Sequence, residues 1–192
     1  MSMFDPGKYI HELHQTITQA GLNYEIWWVY KSDDTRPEFI DAMNRYTLFF
    51  QTSIHAHFVA MIVALYRLYE TRGDTYNIPS FLRLLRKHRT FEDAILTQLN
   101  AIYDSARPLW KKVNIIRNNA FGHRSVARTI AEIFKDASIS GNDLRALVKH
   151  TEELLNVTNR AWDRSTHSFN LGAREDLIQL LTDIRRDQTN SD

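Results

Sequence analysis

The sequence predicts an all-α protein, an antiparallel bundle of four main helices with additional short helices. Apolar residues recur at alternating steps of three and four over long stretches, which is the spacing of one face of a helix. Little in the sequence is typical of paired strands, and the connections between periodic segments are short. Long helices with short connections pack as antiparallel neighbours, so a bundle is the expected architecture.

The first long segment, 37–71, is predicted to form one core helix, and the sequence "TRGD" at 71–74 offers a glycine cap at its end. Asn77 precedes a short basic helix that should extend to about Lys87. Residues 23–31, "NYEIWWVYK", favour a strand by composition. Because no partner strand is evident, we expect a short helix or a packed loop there.

The most regular apolar spacing occurs in 91–120 and predicts a long helix. Thr90, followed three residues later by Asp93, is placed to cap its start. Pro108 falls inside the segment, and its ring removes a hydrogen-bond donor and crowds the preceding turn. A kink at Pro108, or two abutting helices, is therefore expected.

The last two helices are predicted over 142–162 and about 174–185. Ser140 or Asn142 can cap the first of them, since both side chains carry an oxygen that accepts from a free backbone N–H. These two segments complete the set of helices that the bundle needs.

The length of 192 residues suits one domain, which would bury roughly 70% of the surface of the unfolded chain. We expect 1–192 to be a single helical domain, with about 1–36 as an N-terminal helical extension and about 186–192 as a disordered tail.

The numbers of basic and acidic residues nearly balance, with 24 Lys and Arg against 23 Asp and Glu. Affinity for a polyanion would therefore have to come from local clustering of charge.

The chain contains no cysteine, which excludes disulfides, thiolate nucleophiles and cysteine-ligated zinc, and fits a reducing compartment. The opening sequence "MSMFDPGKYI" lacks the apolar core of a signal peptide. The longest apolar run, "FVAMIVALY" at 58–66, is well short of the ~20 residues of a membrane span and predicts a buried helix. We expect a cytoplasmic protein without a membrane contact.

Several kinds of site are disfavoured by the sequence. The six glycines are too far apart for a glycine-rich phosphate loop. His11 and His14 could share a helix face, but such a pair is more typical of a solvated surface, and His55 and His57 would point to different faces. We expect neither a metal nor a cofactor.

The stretch "KKVNIIRNNAFGHRS" at 111–125 combines an arginine, two asparagines and a histidine at the end of an apolar stripe. On a straight helix Arg117 and His123 would lie roughly 120° apart around the axis, so they would not meet unless Gly122 allows the last turn to break. A two-fold dimer could also bring two copies of the stretch into one cleft.

These residue types could support phosphodiester transfer in RNA without a metal. A histidine can take the proton of a 2′-hydroxyl or deliver one to the leaving oxygen. Arg117 can donate a planar fork of hydrogen bonds to a phosphate, and Asn118 can orient either partner. The alternative is an ordinary helix end, with the stem of Arg117 packed and His123 favoured by the helix dipole.

Basic residues concentrate just before and around this stretch in a chain that is otherwise balanced in charge. Such a cluster is typical of a phosphate track, although solvated helix faces look similar. The residues predicted to bind nucleic acid are Lys111, Lys112, Arg124, Arg83 and Arg86.

The sequence "RNNAFGH" resembles the R-x(4–6)-H motif of the HEPN superfamily, in which a polar residue commonly follows the arginine. The sequence before this motif, with its predicted long helix over 37–71 and the short basic helix that follows, is similar to the AbiU2 branch of the superfamily. That branch is associated with abortive-infection defence. The resemblance covers about 37–165.

The resemblance implies a HEPN-like four-helix bundle, a homodimer with the motif at the subunit interface, and a metal-independent endoribonuclease that leaves a 2′,3′-cyclic phosphate. The catalytic residues that it implies are Arg117, Asn118 and His123, the partner is RNA, and a neutralising antitoxin or regulatory protein is a further expected partner. Ser125 stands where HEPN toxins silenced by nucleotidylation have a tyrosine, so that control is not expected. The alternative is a non-catalytic helical module that binds nucleic acid or a protein.

Overall fold

The computed structural model describes residues 4–122 and 129–189, and within these ranges every regular element is helical. The all-α prediction is confirmed. The elements are α1 (Pro6–Lys31), α2 (Arg36–Arg45), α3 (Thr47–Tyr69), α4 (Ile78–Lys87), α5 (Asp93–Ile116), a π-helical turn (Arg117–Gly122), α6 (Ile130–Ala137), α7 (Gly141–Trp162) and α8 (Ala173–Thr189).

The four longest helices, α1, α3, α5 and α7, form the centre of the fold. α1 packs against α3 and α7, and α5 packs against the same two helices, so the four enclose a common core. Leu13, Leu65, Leu99 and Leu147, one from each helix, are completely buried in it. The shorter helix α6 packs against α5 and against the turn that follows it, where the predicted motif begins, whereas α4 packs against the first half of α5.

Residues 23–31 form the last turns of α1. The expectation of a helix is therefore confirmed and that of a packed loop is wrong, although the helix has 26 residues and is not short. Asp5 caps the start of α1 by accepting a hydrogen bond from the backbone N–H of Lys8. The aromatic residues of this segment, which favour a strand, instead pack against neighbouring helices. The ring centre of Trp27, for example, lies 5.4 Å from that of Phe58 on α3. Tertiary contact here overrides a weak strand preference.

The single helix predicted over 37–71 is wrong, because the chain breaks at Tyr46 into α2 and α3. α2 buries Phe39 and Met43 against Leu181 of α8, in a second apolar cluster separate from the main core. α3 turns towards the main core. The apolar spacing runs across the break without interruption, and for this reason periodicity could not reveal it.

The predicted glycine cap at 71–74 is also wrong. α3 ends at Tyr69, and Glu70 follows in an extended conformation, so no left-handed residue closes the helix. By contrast, the predicted start of α4 is confirmed, since the side chain of Asn77 accepts from the backbone N–H of Ser80 at 2.8 Å.

The predicted cap by Thr90 is wrong: α5 begins at Asp93 after Glu92, with no side-chain capping bond. Thr90 instead belongs to the end of α4, where its N–H donates to the carbonyl of Leu85 at 3.1 Å and Arg89 adopts a left-handed φ of 49°. α5 passes through Pro108 as one helix, so the alternative of two abutting helices is wrong.

The predicted cap of α7 is confirmed for Ser140, which forms a capping box with Asp143. α8 extends beyond the predicted 174–185 and continues to Thr189. Residues 190–192 of the expected tail lie outside the described part of the chain.

α3 is the one helix in the described residues whose length and composition would suffice to cross a membrane, which is weak evidence for a span. The run 58–66 is helical, but α3 is less buried than predicted. One face carries Met61, Ile62 and Leu65 into the core, whereas Leu48 is 82% exposed. α3 is therefore a core helix with an uncovered apolar face.

Candidate active site at the end of α5

The predicted motif begins where α5 changes into a π-helical turn, Arg117–Gly122. Single π-helical turns are rare and occur frequently at functional sites, because the added residue per turn changes where side chains point. The turn packs against α3 and α6 as well as α5. The end of α5 is thus held from two sides rather than frayed.

Arg117 is half-buried, and its guanidinium carbon lies 4.4 Å from the centre of the Tyr66 ring on α3. Its Nη1 donates to Oδ1 of Asn118 at 3.0 Å, and Nδ2 of Asn118 donates to Oδ1 of Asn114 at 2.8 Å. The three side chains form a connected polar row. Asn118 therefore contacts Arg117 directly through its side chain.

Tyr66 is itself held by Trp110 of α5. Their rings are stacked, with centres 6.3 Å apart, and Nε1 of Trp110 donates to the carbonyl of Tyr66 at 3.4 Å. Sequence reasoning assigned neither residue to the site. Trp110 lies seven residues before Arg117 and therefore on the same face of the helix. This spacing could have indicated from the sequence that Trp110 lies at the site.

Phe121 anchors the far end of the π-helical turn. Its ring meets the rings of His55 and Phe58 on α3 edge to face, each at 6.0 Å. Phe58 in turn packs on Phe134 of α6 at 5.8 Å. These contacts bring His55 beside the π-helical turn, a position that no spacing in the sequence predicts.

His123 and Arg124, two of the predicted site residues, lie outside the described residues, which stop at Gly122 and resume at Thr129. The described half of the motif is the half that would contact a phosphate.

Arg117 is positively charged, and its side-chain partners among the described residues are uncharged. Among residues 4–122 and 129–189, no carboxylate forms an ion pair with it, and its partners are an amide and an aromatic ring. A guanidinium has five N–H donors, of which one bonds Asn118. The remaining donors suit a phosphate, which can accept two of them side by side.

Two of the basic residues predicted to bind nucleic acid, Lys111 and Lys112, lie near the end of α5 and differ in their partners. Lys112 forms an ion pair with Asp143 on α7, with 3.0 Å between Nζ and Oδ2. The backbone N–H of Ser140, followed by Lys112, holds the pKa of Asp143 below its usual value, so the acid stays charged. Lys111 is exposed, and it lies on one stripe of α5 with Asn114, three residues further on.

Arg83 and Arg86 lie away from the motif. They line a pocket between α4 and the first half of α5, beside Asn100 and Tyr103. The structure therefore does not bring the predicted nucleic-acid-binding residues together at one place.

The histidines singled out in the sequence have other partners. Nε2 of His11 is 2.8 Å from Nε2 of Gln15, and the ring of His14 packs 4.4 Å from that of His167. Nδ1 of His57 lies 2.8 Å from Oδ1 of Asn23. Within the described residues no group of three or more histidines and carboxylates is arranged to hold a metal ion.

The comparison with protein families identifies the family to which the chain belongs. A model of the AbiU2 family of HEPN domains matches residues 7–180, which include α1 as well as the complete segment from Arg117 to His123. No curated protein and no solved structure matches the chain. Because the match spans most of the sequence, the chain belongs to the AbiU2 family of HEPN domains, which is associated with abortive infection.

Proposed function

We propose that this protein is a metal-independent endoribonuclease that acts in abortive-infection defence, with Arg117, Asn118 and His123 as its catalytic residues. The observation that carries the proposal is Arg117, a half-buried cation that Tyr66 and Asn118 hold at the first position of the R-x(5)-H motif. No carboxylate of the described residues forms an ion pair with it. An arginine fixed in this way is prepared to bind an anion.

The proposed reaction is an internal transfer at phosphorus. The 2′-oxygen of a ribose attacks the adjacent phosphate, the bond to the 5′-oxygen breaks, and the products are a 2′,3′-cyclic phosphate and a 5′-hydroxyl. His123 takes the 2′-hydroxyl proton or gives a proton to the leaving 5′-oxygen. Arg117 stabilises the negative charge that grows on the phosphate, and Asn118 keeps its guanidinium in place.

One histidine cannot fill both proton-transfer roles at the same moment, which favours a homodimer with two copies of the motif in one cleft. The exposed apolar face of α3 suits such an interface. Leu48 and Phe49 are 82% and 63% exposed, and Val63 is 37% exposed. Leu48 and Tyr66 are eighteen residues apart, or about five turns, so this face also carries the ring that supports Arg117.

The proposal is tested by following cleavage of a single-stranded RNA in EDTA. We expect the wild type to cleave and to leave cyclic phosphate ends, whereas His123→Ala and Arg117→Gln lose at least about a hundredfold in rate, the usual scale of acid–base and charge-stabilising groups. Arg160→Gln is the matched control, since it removes one charge from the exposed side of α7.

The same proteins show whether cleavage comes from a contaminating ribonuclease and whether a loss of cleavage comes from misfolding. Equal cleavage by the wild type and His123→Ala, with both folded by circular dichroism, contradicts the proposal. RNA binding by both proteins without cleavage by either would favour a non-catalytic binding module.

A further inference from the structure

A pocket between α4 and α5 has a volume of about 340 Å³, which is within the range of small-molecule sites. Its polar lining consists of Arg83, Arg86 and Lys87 from α4, and Asn100 and Tyr103 from α5. No carboxylate lines it. A neighbouring depression that shares Arg86 and Asn100 does contain two acids, Asp93 and Asp104.

In the parts of the chain that the structure describes, no acid lies within ion-pair distance of Arg83, Arg86 or Lys87. The polar contact of Arg83 is a hydrogen bond from Nη2 to Oγ of Ser80 at 3.3 Å. Three like charges on one wall repel each other, and a bound anion would relieve this repulsion.

The fold forces these charges together. Arg83, Arg86 and Lys87 are spaced i, i+3 and i+4, so they occupy one face of α4. The opposite face buries Phe81 and Leu85 completely in the core. All three cations are exposed to solvent, and α4 cannot rotate them away from the pocket without exposing two large apolar side chains.

The wall of the pocket that faces these cations belongs to α5 and carries an aromatic ring and an amide. Tyr103 is half-exposed, and its ring is fixed by stacking on the buried Tyr69, with centres 6.0 Å apart. Nδ2 of Asn100 donates to the carbonyl of Leu96 and has a second hydrogen to donate. An aromatic ring and an amide beside a cationic wall match a base or sugar next to a phosphate.

We infer that the pocket between α4 and α5 binds the phosphate monoester of a nucleotide through Arg83, Arg86 and Lys87. A monoester carries up to two negative charges, and two arginines with a lysine suit a dianion better than the single charge of a phosphodiester within a chain. The nucleotide is either free or the phosphorylated end of an RNA, since both present the same group.

This pocket is distinct from the site at Arg117, and the inference does not depend on RNA cleavage. Asn100 and Asn118 are eighteen residues apart along α5 and its π-helical extension, a separation of roughly 27 Å on the same side of the helix. Lys111 lies between them and is exposed. An RNA with its end in the pocket would follow that side of α5 towards Arg117.

Calorimetric titration of the full chain with adenosine 5′-monophosphate, inorganic phosphate and adenosine tests the inference. We expect the monophosphate to bind and adenosine to bind at least tenfold more weakly. The double variant Arg83→Gln/Arg86→Gln should lose at least tenfold in affinity for the monophosphate, whereas Arg160→Gln should not. Arg86→Lys serves if the double variant fails to fold, because it keeps the charge and loses the planar fork.

The inference is overturned if adenosine binds as well as its monophosphate, if neither binds, or if Arg160→Gln weakens binding as much as the pocket variants. Two RNAs of one sequence, with a 5′-phosphate or a 5′-hydroxyl, then identify the source of the phosphate. A preference for the phosphorylated RNA that the pocket variants abolish supports an RNA end. Binding of the monophosphate with no such preference supports a free nucleotide.

Discussion

At the scale of single residues, the site depends on an aromatic ring placed under a cation. Tyr66 contacts the guanidinium of Arg117 through its ring, and its ring is fixed by Trp110. Contacts of this kind contribute about 0.5–2 kcal/mol, depending on how far the cation is removed from water. The ring therefore determines where Arg117 is held, whereas the motif determines only that an arginine is present.

Replacing Tyr66 by leucine should slow RNA cleavage roughly 2- to 30-fold, because the loss of the ring frees the guanidinium from its position. The measurement is kcat/KM for a single-stranded RNA. Tyr66→Phe is the matched control and should cleave at nearly the wild-type rate, since it keeps the ring. Equal rates for Tyr66→Leu and the wild type would show that the ring does not position Arg117.

The neighbours Lys111 and Lys112 should behave differently, although the sequence places them together. Lys112 forms the ion pair with Asp143, whereas Lys111 is exposed. Lys111→Gln should therefore weaken RNA binding and lower the slope of its salt dependence by about one. Lys112→Gln should instead lower the melting temperature, because it removes a contact between α5 and α7.

Binding titrations at several salt concentrations and thermal unfolding of both variants separate the two effects. The assignment is wrong if Lys112→Gln changes the salt slope as much as Lys111→Gln does and leaves the melting temperature unchanged.

At the scale of elements, the start of α7 is fitted closely against α1. A Cβ added to Gly141 would lie 2.1 Å from Cζ3 of Trp28, which is far inside contact distance. The guanidinium of Arg145 lies over the same indole, with its Cζ 4.8 Å from the ring centre. Trp28 is thus confined, and the glycine is required by close approach.

Gly141→Ala should accordingly lower the free energy of unfolding by about 1–3 kcal/mol, the usual cost of overpacking. Gly73→Ala is the control, since a Cβ there would meet no atom within 4 Å, and it should change stability by no more than about 1 kcal/mol. Urea unfolding of both variants measures the difference. If Gly141→Ala is as stable as Gly73→Ala, the indole has room to move aside.

At the scale of the whole molecule, α3 leaves an apolar face uncovered among the described residues. Leu48 and Val63 are exposed on a helix that buries Met61, Ile62 and Leu65 on another face. Exposed apolar patches of this kind commonly mark an interface. The same face extends to Tyr66, so a second copy that covers it would also lie beside Arg117.

The double substitution Leu48→Glu/Val63→Glu should convert a dimer into a monomer, because it places two charges where an apolar face would be buried. Light scattering after size exclusion measures the mass. Leu180→Glu, at a side chain of α8 that is 50% exposed, is the control and should leave the mass unchanged. A dimer that survives the double substitution would place the interface elsewhere, and a monomeric wild type that cleaves RNA would remove the need for one.

Much of the fold was predictable because helical periodicity is local. The steps of three and four located α5 and α7, and short polar signals located the caps at Asn77 and Ser140. The break at Tyr46 was not predictable, since the spacing continues through it and only the packing of α2 on α8 separates the two helices.

The amino-acid pattern alone is sufficient to predict that the chain is helical, where most helices lie, and that Arg117, Asn118 and His123 stand in a pattern that resembles the HEPN motif. The packing of the helices is needed to find that Tyr66 contacts Arg117, that Lys112 is paired with Asp143, and that the basic face of α4 lines a pocket. Spacing along the chain reports which face of its own helix a side chain occupies. The partner across the interface depends on how helices distant in sequence pack, and no local pattern encodes that.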